Sequence, residues 1–191
     1  CFVKMTAAIL KKVFLLGISG GALVALNLAE ENPADGIICL STMLHAADWR
    51  LKYGGPVGPV VHTVMKNVFQ KEYLDSNVPE HRKHIVYNRM PIASTIELFK
   101  LMRYTRRSLY RVECPMLIVH STQDDVAHPS SAKELYQKVL SPDKELHWVE
   151  GEHVFINEQT DVNEKVFQKV ASFAKNPTEY FSHTHQSNHA S

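Results

Sequence analysis

One short segment, Gly17-Ile18-Ser19-Gly20-Gly21, constrains the fold of this chain more than any other. It fits the pattern G-x-S-x-G and lies between an apolar, β-branched run and a stretch whose apolar residues recur at helical spacing. We expect a strained strand-to-helix turn there, because side chains at Gly17 and Gly21 would collide where the strand and the helix pass closely. Such a turn exposes Ser19 as a nucleophile and leaves the Gly20 N–H at a helix N-terminus, where it can bind an oxyanion. The alternative is a glycine-rich turn that contains a serine by chance, and the strand–turn–helix context argues against it.

Buried strands alternate with helices on both sides of a central stretch of the chain. The predicted strands cover residues 12–16, 35–41, 115–120 and 145–150, and those at 35–41 and 115–120 are continuous apolar runs. The predicted helices cover residues 19–33, 129–142 and 156–174. This alternation indicates an α/β fold, in which helices flank a parallel sheet.

The stretch 45–111 does not follow the alternation. It holds the segment GGPVGP and three helix-like pieces, residues 60–70, 79–88 and 91–109. We therefore expect a helical insertion at 45–111 between two parts of one core, residues 1–44 and 112–175. The polar tail 176–191 is expected to be disordered.

Composition excludes several classes of protein. The chain has 191 residues and a formal net charge of +1, so nucleic acid is not an expected partner. No apolar run approaches the roughly 20 residues that cross a bilayer, and the first residues do not follow the order of a signal peptide. The three cysteines are an odd number, which favours a reducing compartment and predicts a cytoplasmic location. No zinc-binding or dinucleotide-binding pattern is present, so we expect neither a metal nor an organic cofactor.

A serine hydroxyl becomes a good nucleophile only when a base removes its proton, so a histidine and a carboxylate must accompany Ser19. The segment that directly follows the strand 115–120 contains Asp124 and Asp125, and Gly151-Glu152-His153 follows the strand 145–150. The carboxyl ends of parallel strands are where open α/β sheets place functional residues. We therefore expect His153 to act as the base and Asp124 or Asp125 to orient it.

Other titratable side chains have ordinary structural interpretations. His120 ends a predicted strand and is expected to be a hydrogen-bonded structural residue. A cluster of arginines near the end of the insertion is typical of a solvated helix face, with contact to an anionic substrate or a phospholipid headgroup as the alternative. The cluster consists of Arg103, Arg106, Arg107 and Arg111.

The chain resembles the α/β-hydrolase family, specifically compact bacterial carboxylesterases and monoacylglycerol-lipase-like esterases. The resemblance covers most of residues 12–175 and is strongest in GISGG, in PMLIVH followed by STQDD, and in the G-x-H that ends at His153. It implies a nucleophile elbow framed by Gly17 and Gly21.

The resemblance also assigns roles to the candidate site residues. It implies a catalytic triad of Ser19, Asp124 and His153, with Asp124 rather than Asp125 as the acid. The implied reaction is hydrolysis of small-molecule carboxylic esters with short or medium acyl chains, without a cofactor. The insertion 45–111 would then be a cap over an acyl-binding pocket.

The position of the nucleophile departs from the family pattern. Family members have several strands before the nucleophile, and a loop after one of them supplies a second oxyanion donor, whereas this chain reaches Ser19 after 18 residues. The resemblance thus implies an N-terminally truncated hydrolase core whose strand at 12–16 exposes an apolar edge suited to self-association. An inactive fragment that binds a ligand or partner, and a thioesterase or peptidase of the same fold, are the alternatives.

Overall fold

Four parallel strands form the centre of the computed structural model, which describes residues 12–47, 73–75, 89–153, 155 and 161–187. The described residues contain two further strands outside this sheet. In chain order all the described strands are β1 (Phe14–Ile18), β2 (Gly36–Leu40), β3 (Tyr73–Asp75), β4 (Arg89–Pro91), β5 (Met116–Ser121) and β6 (Lys144–Val149). Strands β1, β2, β5 and β6 pair in that order, each parallel to the next. The predicted α/β fold with a parallel sheet is confirmed.

Helices cover both faces of this sheet. They are α1 (Gly20–Glu31), α2 (Ile92–Ser108), α3 (Ser130–Lys138), α4 (Asp161–Lys175) and α5 (Pro177–Ser187). Alternate residues of each inner strand pack into two separate apolar clusters, because successive side chains of a strand point to opposite faces. Ile37 and Ile118 pack with α1, α2 and α3, whereas Ile38 and Leu117 pack with α4 and α5. Burial on both faces explains why these strands read as continuous apolar runs.

The insertion differs in part from the expected helical structure. Its last predicted helix, 91–109, is confirmed as α2, but β3 and β4 form a two-stranded antiparallel sheet that was not predicted. Three-residue strands are too short to carry a recognisable alternation of apolar and polar side chains. The predicted helices 60–70 and 79–88 lie outside the described residues.

The prediction of a disordered tail is wrong for residues 177–187, which form α5. Phe181 is only 4% exposed, and its ring packs edge-to-face against that of Phe173, with centroids 5.9 Å apart. Tyr180 contacts Phe173 in the same way at 5.6 Å, and its hydroxyl lies 3.0 Å from Nζ of Lys169. Two aromatic side chains thus dock the tail on the core although the composition of the segment is polar.

In the part of the chain that the structure describes, no helix is both long enough and apolar enough to cross a membrane.

Candidate active site

Ser19 lies on a strained turn between β1 and α1. Its φ of 53° and ψ of −121° are a conformation that non-glycine residues rarely adopt. The turn is fixed because the Ser19 N–H donates to the carbonyl of Leu40 at 2.9 Å. The Ser19 side chain makes no capping hydrogen bond to the helix, so its hydroxyl is available to another partner.

The glycines beside Ser19 have different steric environments. A Cβ at Gly17 would lie 2.4 Å from Cα of Ala22, so only glycine fits where β1 and α1 meet. The expected collision at Gly21 is absent, because a Cβ there would meet no atom of the described residues within 4 Å. Gly21 is exposed on the outer side of the first helical turn. A Cβ at Gly20 would make an ordinary contact of 3.7 Å with Leu98 of α2.

Three side chains that are far apart in the sequence form one chain of hydrogen bonds. The Nε2 atom of His153 lies 2.8 Å from Oγ of Ser19. On the other side of the imidazole, Nδ1 lies 2.9 and 2.8 Å from the two carboxylate oxygens of Asp124. An imidazole that donates from Nδ1 to a carboxylate presents an unprotonated Nε2, which can accept the serine proton.

Asp124 is held as a carboxylate in a buried position. Burial alone would raise the pKa of Asp124, but the hydrogen bond and charge of His153, together with backbone hydrogen bonds, lower it. Backbone N–H groups of Val126 and Ala127 donate to its Oδ1 at 2.9 and 2.7 Å and act in the same direction. Asp125, the other candidate acid, is exposed. The structure therefore brings Asp124, and not Asp125, to His153.

The parallel sheet accounts for the meeting of these side chains. Ser19 follows β1, Asp124 follows β5 and His153 follows β6. Because the strands are parallel, their carboxyl ends lie at one edge of the sheet and their loops converge there. Ser19, Asp124 and His153 are thus close together in space although they are far apart in the sequence.

His120 lies beneath this site, at the end of β5. It is fully buried, and its Nε2 lies 3.0 Å from the carbonyl oxygen of Ala127, so the expected hydrogen-bonded structural role agrees with its contacts. Burial lowers its pKa, which keeps the ring neutral. The ring also packs edge-to-face on Trp148, with centroids 6.0 Å apart.

Part of the arginine cluster is engaged in ion pairs that the sequence pattern does not reveal. Nε of Arg106 lies 3.1 Å from both carboxylate oxygens of Glu134, and Lys138 and His45 contact the same carboxylate. Burial alone would raise the pKa of Glu134, but these partners lower it to about 2. Arg111 is paired with Glu30. Glu134 therefore ties the insertion helix α2 to α3 of the core.

Two buried serines near His153 were not among the residues to which the sequence assigns a role. Ser41 follows β2, and its hydroxyl donates to the carbonyl of His153 at 2.7 Å. Ser121 ends β5, and its hydroxyl donates to the carbonyl of Gly151. The sequence patterns assign no role to either serine, and only the three-dimensional contacts identify them.

Within the described ranges, no group of three or more histidine, cysteine, aspartate or glutamate side chains is arranged to hold a metal ion.

Solved structures that superpose on this chain identify the class of the fold. A structure of the metagenome-derived lipolytic enzymes LipS and LipT superposes with a TM-score of 0.73, covering 91% of this chain and 69% of that one at 21% identity. The monoacylglycerol lipase of Paleococcus ferrophilus superposes with a TM-score of 0.69, covering 90% of this chain and 71% of the lipase at 17% identity. The fold is that of the α/β hydrolases, and the expected resemblance is confirmed.

Sequence comparison assigns the family. The family described as serine aminopeptidase, S33, matches residues 2–160, and the chain belongs to it. The thermostable monoacylglycerol lipase of Bacillus sp. (strain H-257) is 30% identical over 138 residues, which are 70% of this chain and 51% of the lipase. The chain therefore spans about half the length of that relative.

Proposed function

We propose that this chain carries the catalytic triad of a serine hydrolase that cleaves carboxylic esters, with Ser19 as nucleophile, His153 as general base and Asp124 as the orienting acid. The observation that carries the proposal is the position of His153, whose two ring nitrogens lie within 2.9 Å of Ser19 and Asp124. The strained conformation of Ser19 supports it, because strain of this kind is concentrated at functional sites.

The geometry leads to a two-step reaction. Oγ of Ser19 attacks the ester carbonyl carbon while Nε2 of His153 takes the hydroxyl proton, and Asp124 stabilises the imidazolium. The carbon–oxygen bond to the alcohol then breaks, His153 gives that alcohol its proton, and an acyl-serine remains. Water attacks the acyl group, its proton passes through His153 to Oγ, and the carboxylic acid leaves.

Gly20 is the proposed oxyanion donor. It is the first residue of α1, and backbone N–H groups in the first turn of a helix have no intrahelical partner. The helix dipole also favours a developing negative charge at this end. A second donor from another part of the protein would complete the oxyanion site.

We propose small-molecule esters with short or medium acyl chains, including monoacylglycerols, as substrates. The relative named as a monoacylglycerol lipase supports this class. Leu98 of the insertion helix comes within 3.7 Å of the position of a Cβ on Gly20, so an apolar side chain of the insertion lies beside the proposed oxyanion donor.

The test is covalent labelling with a fluorophosphonate probe, which reacts with activated serines. We expect labelling of the protein, loss of labelling in Ser19→Ala, and unchanged labelling in Ser172→Ala, where an exposed serine of α4 is removed. Absence of Ser19-dependent labelling would overturn the proposal and favour the alternative of a binding protein without activity.

Turnover assays then distinguish the substrate classes. We expect hydrolysis of p-nitrophenyl butyrate and of a monoacylglycerol. The family description names an aminopeptidase, so an aminoacyl p-nitroanilide belongs in the same panel. An acyl thioester tests the thioesterase alternative. Faster turnover of either would replace the ester assignment while keeping the triad.

Self-association through β1 is a further part of the proposal. Within the described residues β1 is an edge strand, and its Leu16 and Ile18 are 52% and 36% exposed. Exposed apolar edges favour pairing with another chain. Size-exclusion chromatography with light scattering tests this, and Leu16→Lys should shift the protein toward the monomer.

The cysteines bear on the proposed compartment. Cys39 and Cys114 are both free thiols, which supports the proposed reducing, cytoplasmic location.

A further inference from the structure

Ser41 connects the nucleophile turn to the loop that carries His153. It immediately follows Leu40, whose carbonyl accepts the Ser19 N–H at 2.9 Å. The Ser41 hydroxyl donates to the carbonyl of His153 at 2.7 Å. A short route of backbone and hydrogen bonds therefore joins the two residues between which the proposed proton transfer occurs.

The backbone of Ser41 is strained as well. Among the described non-glycine residues, only Ser19 and Ser41 have a positive φ, and that of Ser41 is 45°. Such a conformation costs free energy and persists only where its surroundings impose it. Here it aims the Ser41 hydroxyl at the histidine loop, and Ser41 is almost completely buried.

A second serine holds the other end of the same loop. The Ser121 hydroxyl donates to the carbonyl of Gly151 and accepts a hydrogen bond from the Gln123 N–H at 3.0 Å. Hydroxyls at the ends of two neighbouring strands, β2 and β5, thus fix backbone carbonyls on both sides of Glu152. The histidine loop is anchored to the sheet on which Ser19 and Asp124 are also positioned.

We propose that Ser41 is a positioning residue that sets the distance between Nε2 of His153 and Oγ of Ser19. This inference rests on the proposed function. A displacement of about 1 Å of a reacting group lowers the rate by on the order of 10²-fold, while ground-state binding of the substrate is unaffected. Ser41 therefore acts on kcat through the backbone of His153 and leaves KM unchanged.

The test separates the hydroxyl from the strain. Ser41→Ala removes the hydroxyl and keeps the unfavourable φ, whereas Ser41→Gly removes the hydroxyl and tolerates that φ. We expect both variants to lose about 10- to 100-fold in kcat at KM within about twofold of wild type. Ser41→Gly should nevertheless unfold at a higher temperature than Ser41→Ala. Ser41→Cys, which keeps a weaker donor, should recover part of kcat.

The matched control is Ser131, another fully buried serine whose hydroxyl donates to a backbone carbonyl, that of His45, at 3.3 Å. Ser131→Ala should retain wild-type kcat. If kcat follows thermal stability across the Ser41 variants, so that Ser41→Gly recovers activity, the role is structural and the inference is overturned. Failure of the proposed function would look different, because the wild type itself would then lack Ser19-dependent labelling.

Discussion

The Nδ1 atom of His153 faces both carboxylate oxygens of Asp124, at 2.9 and 2.8 Å, across a separation of 29 residues in the sequence. The neighbouring carboxylate, Asp125, is exposed. Adjacent residues with the same side chain therefore occupy unlike environments, and this difference can be measured.

Asp124→Asn should lower kcat for p-nitrophenyl butyrate by about 10³- to 10⁴-fold, because an amide cannot stabilise the imidazolium or fix its tautomer. Asp125→Asn should stay within about threefold of wild type. The opposite pattern, with Asp125→Asn inactive and Asp124→Asn active, would refute the assignment of the acid.

Gly17→Ala should destabilise the protein by on the order of 3 kcal/mol or more, because its Cβ would lie 2.4 Å from Cα of Ala22 and neither backbone can move independently. Gly21→Ala is the matched control. It meets nothing within 4 Å in the described residues and replaces a helical glycine, so we expect stabilisation by about 0.5–1 kcal/mol. Denaturant unfolding measures both, and equal effects would contradict the steric difference.

Glu134→Gln should lower the free energy of unfolding at pH 7 by about 1–3 kcal/mol, a range that allows for the solvent exposure of Arg106 and Lys138. The pKa of Glu134 is lowered from 4.5 to about 2, so its contribution is complete above pH 4.5 and is lost as the pH falls toward 2. The difference between variant and wild type should therefore shrink when unfolding is measured at pH 3.

Glu97→Gln provides the control for this measurement, since Glu97 pairs with Lys100 at 2.7 Å on an exposed helix face. We expect a change below about 0.5 kcal/mol at pH 7. A change as large as that of Glu134→Gln would mean that the partial burial and multiple partners of Glu134 do not increase its contribution to the free energy of unfolding.

Phe181→Ala should destabilise the protein by about 3–5 kcal/mol, because it leaves a cavity beside Phe173 in the core. Ser182→Ala, at the next and exposed position, should have an effect below about 0.5 kcal/mol. Thermal and denaturant unfolding compare the two variants. Equal stability of Phe181→Ala and wild type would show that α5 is not part of the cooperative unit.

The strands and core helices could be predicted from the sequence because their signals are local. Both faces of β2 and β5 are buried, so each reads as an unbroken apolar run. Helix α3 is shorter than expected. It ends at Lys138 because Val139 is extended and buried, a tertiary effect that residues 129–142 do not reveal locally.

The tail could not be predicted because its order depends on partners distant in the sequence. Tyr180 and Phe181 lie in a polar segment, and their edge-to-face contacts are made with Phe173, which itself contacts Phe14 of β1. Composition averages over the segment and so misses two aromatic side chains that pack together on the core.

The candidate site was predictable to the extent that it follows strand ends. Ser19, Asp124 and His153 each come after a strand, and the parallel sheet brings these positions together. Ser41 could not be found in this way. Its contact with His153 spans 112 residues and depends on a positive φ, which a serine in the sequence does not predict.

The hydrogen bond between Ser19 and His153 joins residues 134 positions apart. Closing so long a segment of chain carries an entropic cost that contacts within a helix avoid, so we expect this contact to form late in folding. Turnover, measured beside the recovery of helical circular dichroism during refolding, would then trail the formation of secondary structure. Recovery of the proposed activity would therefore report the completion of tertiary structure.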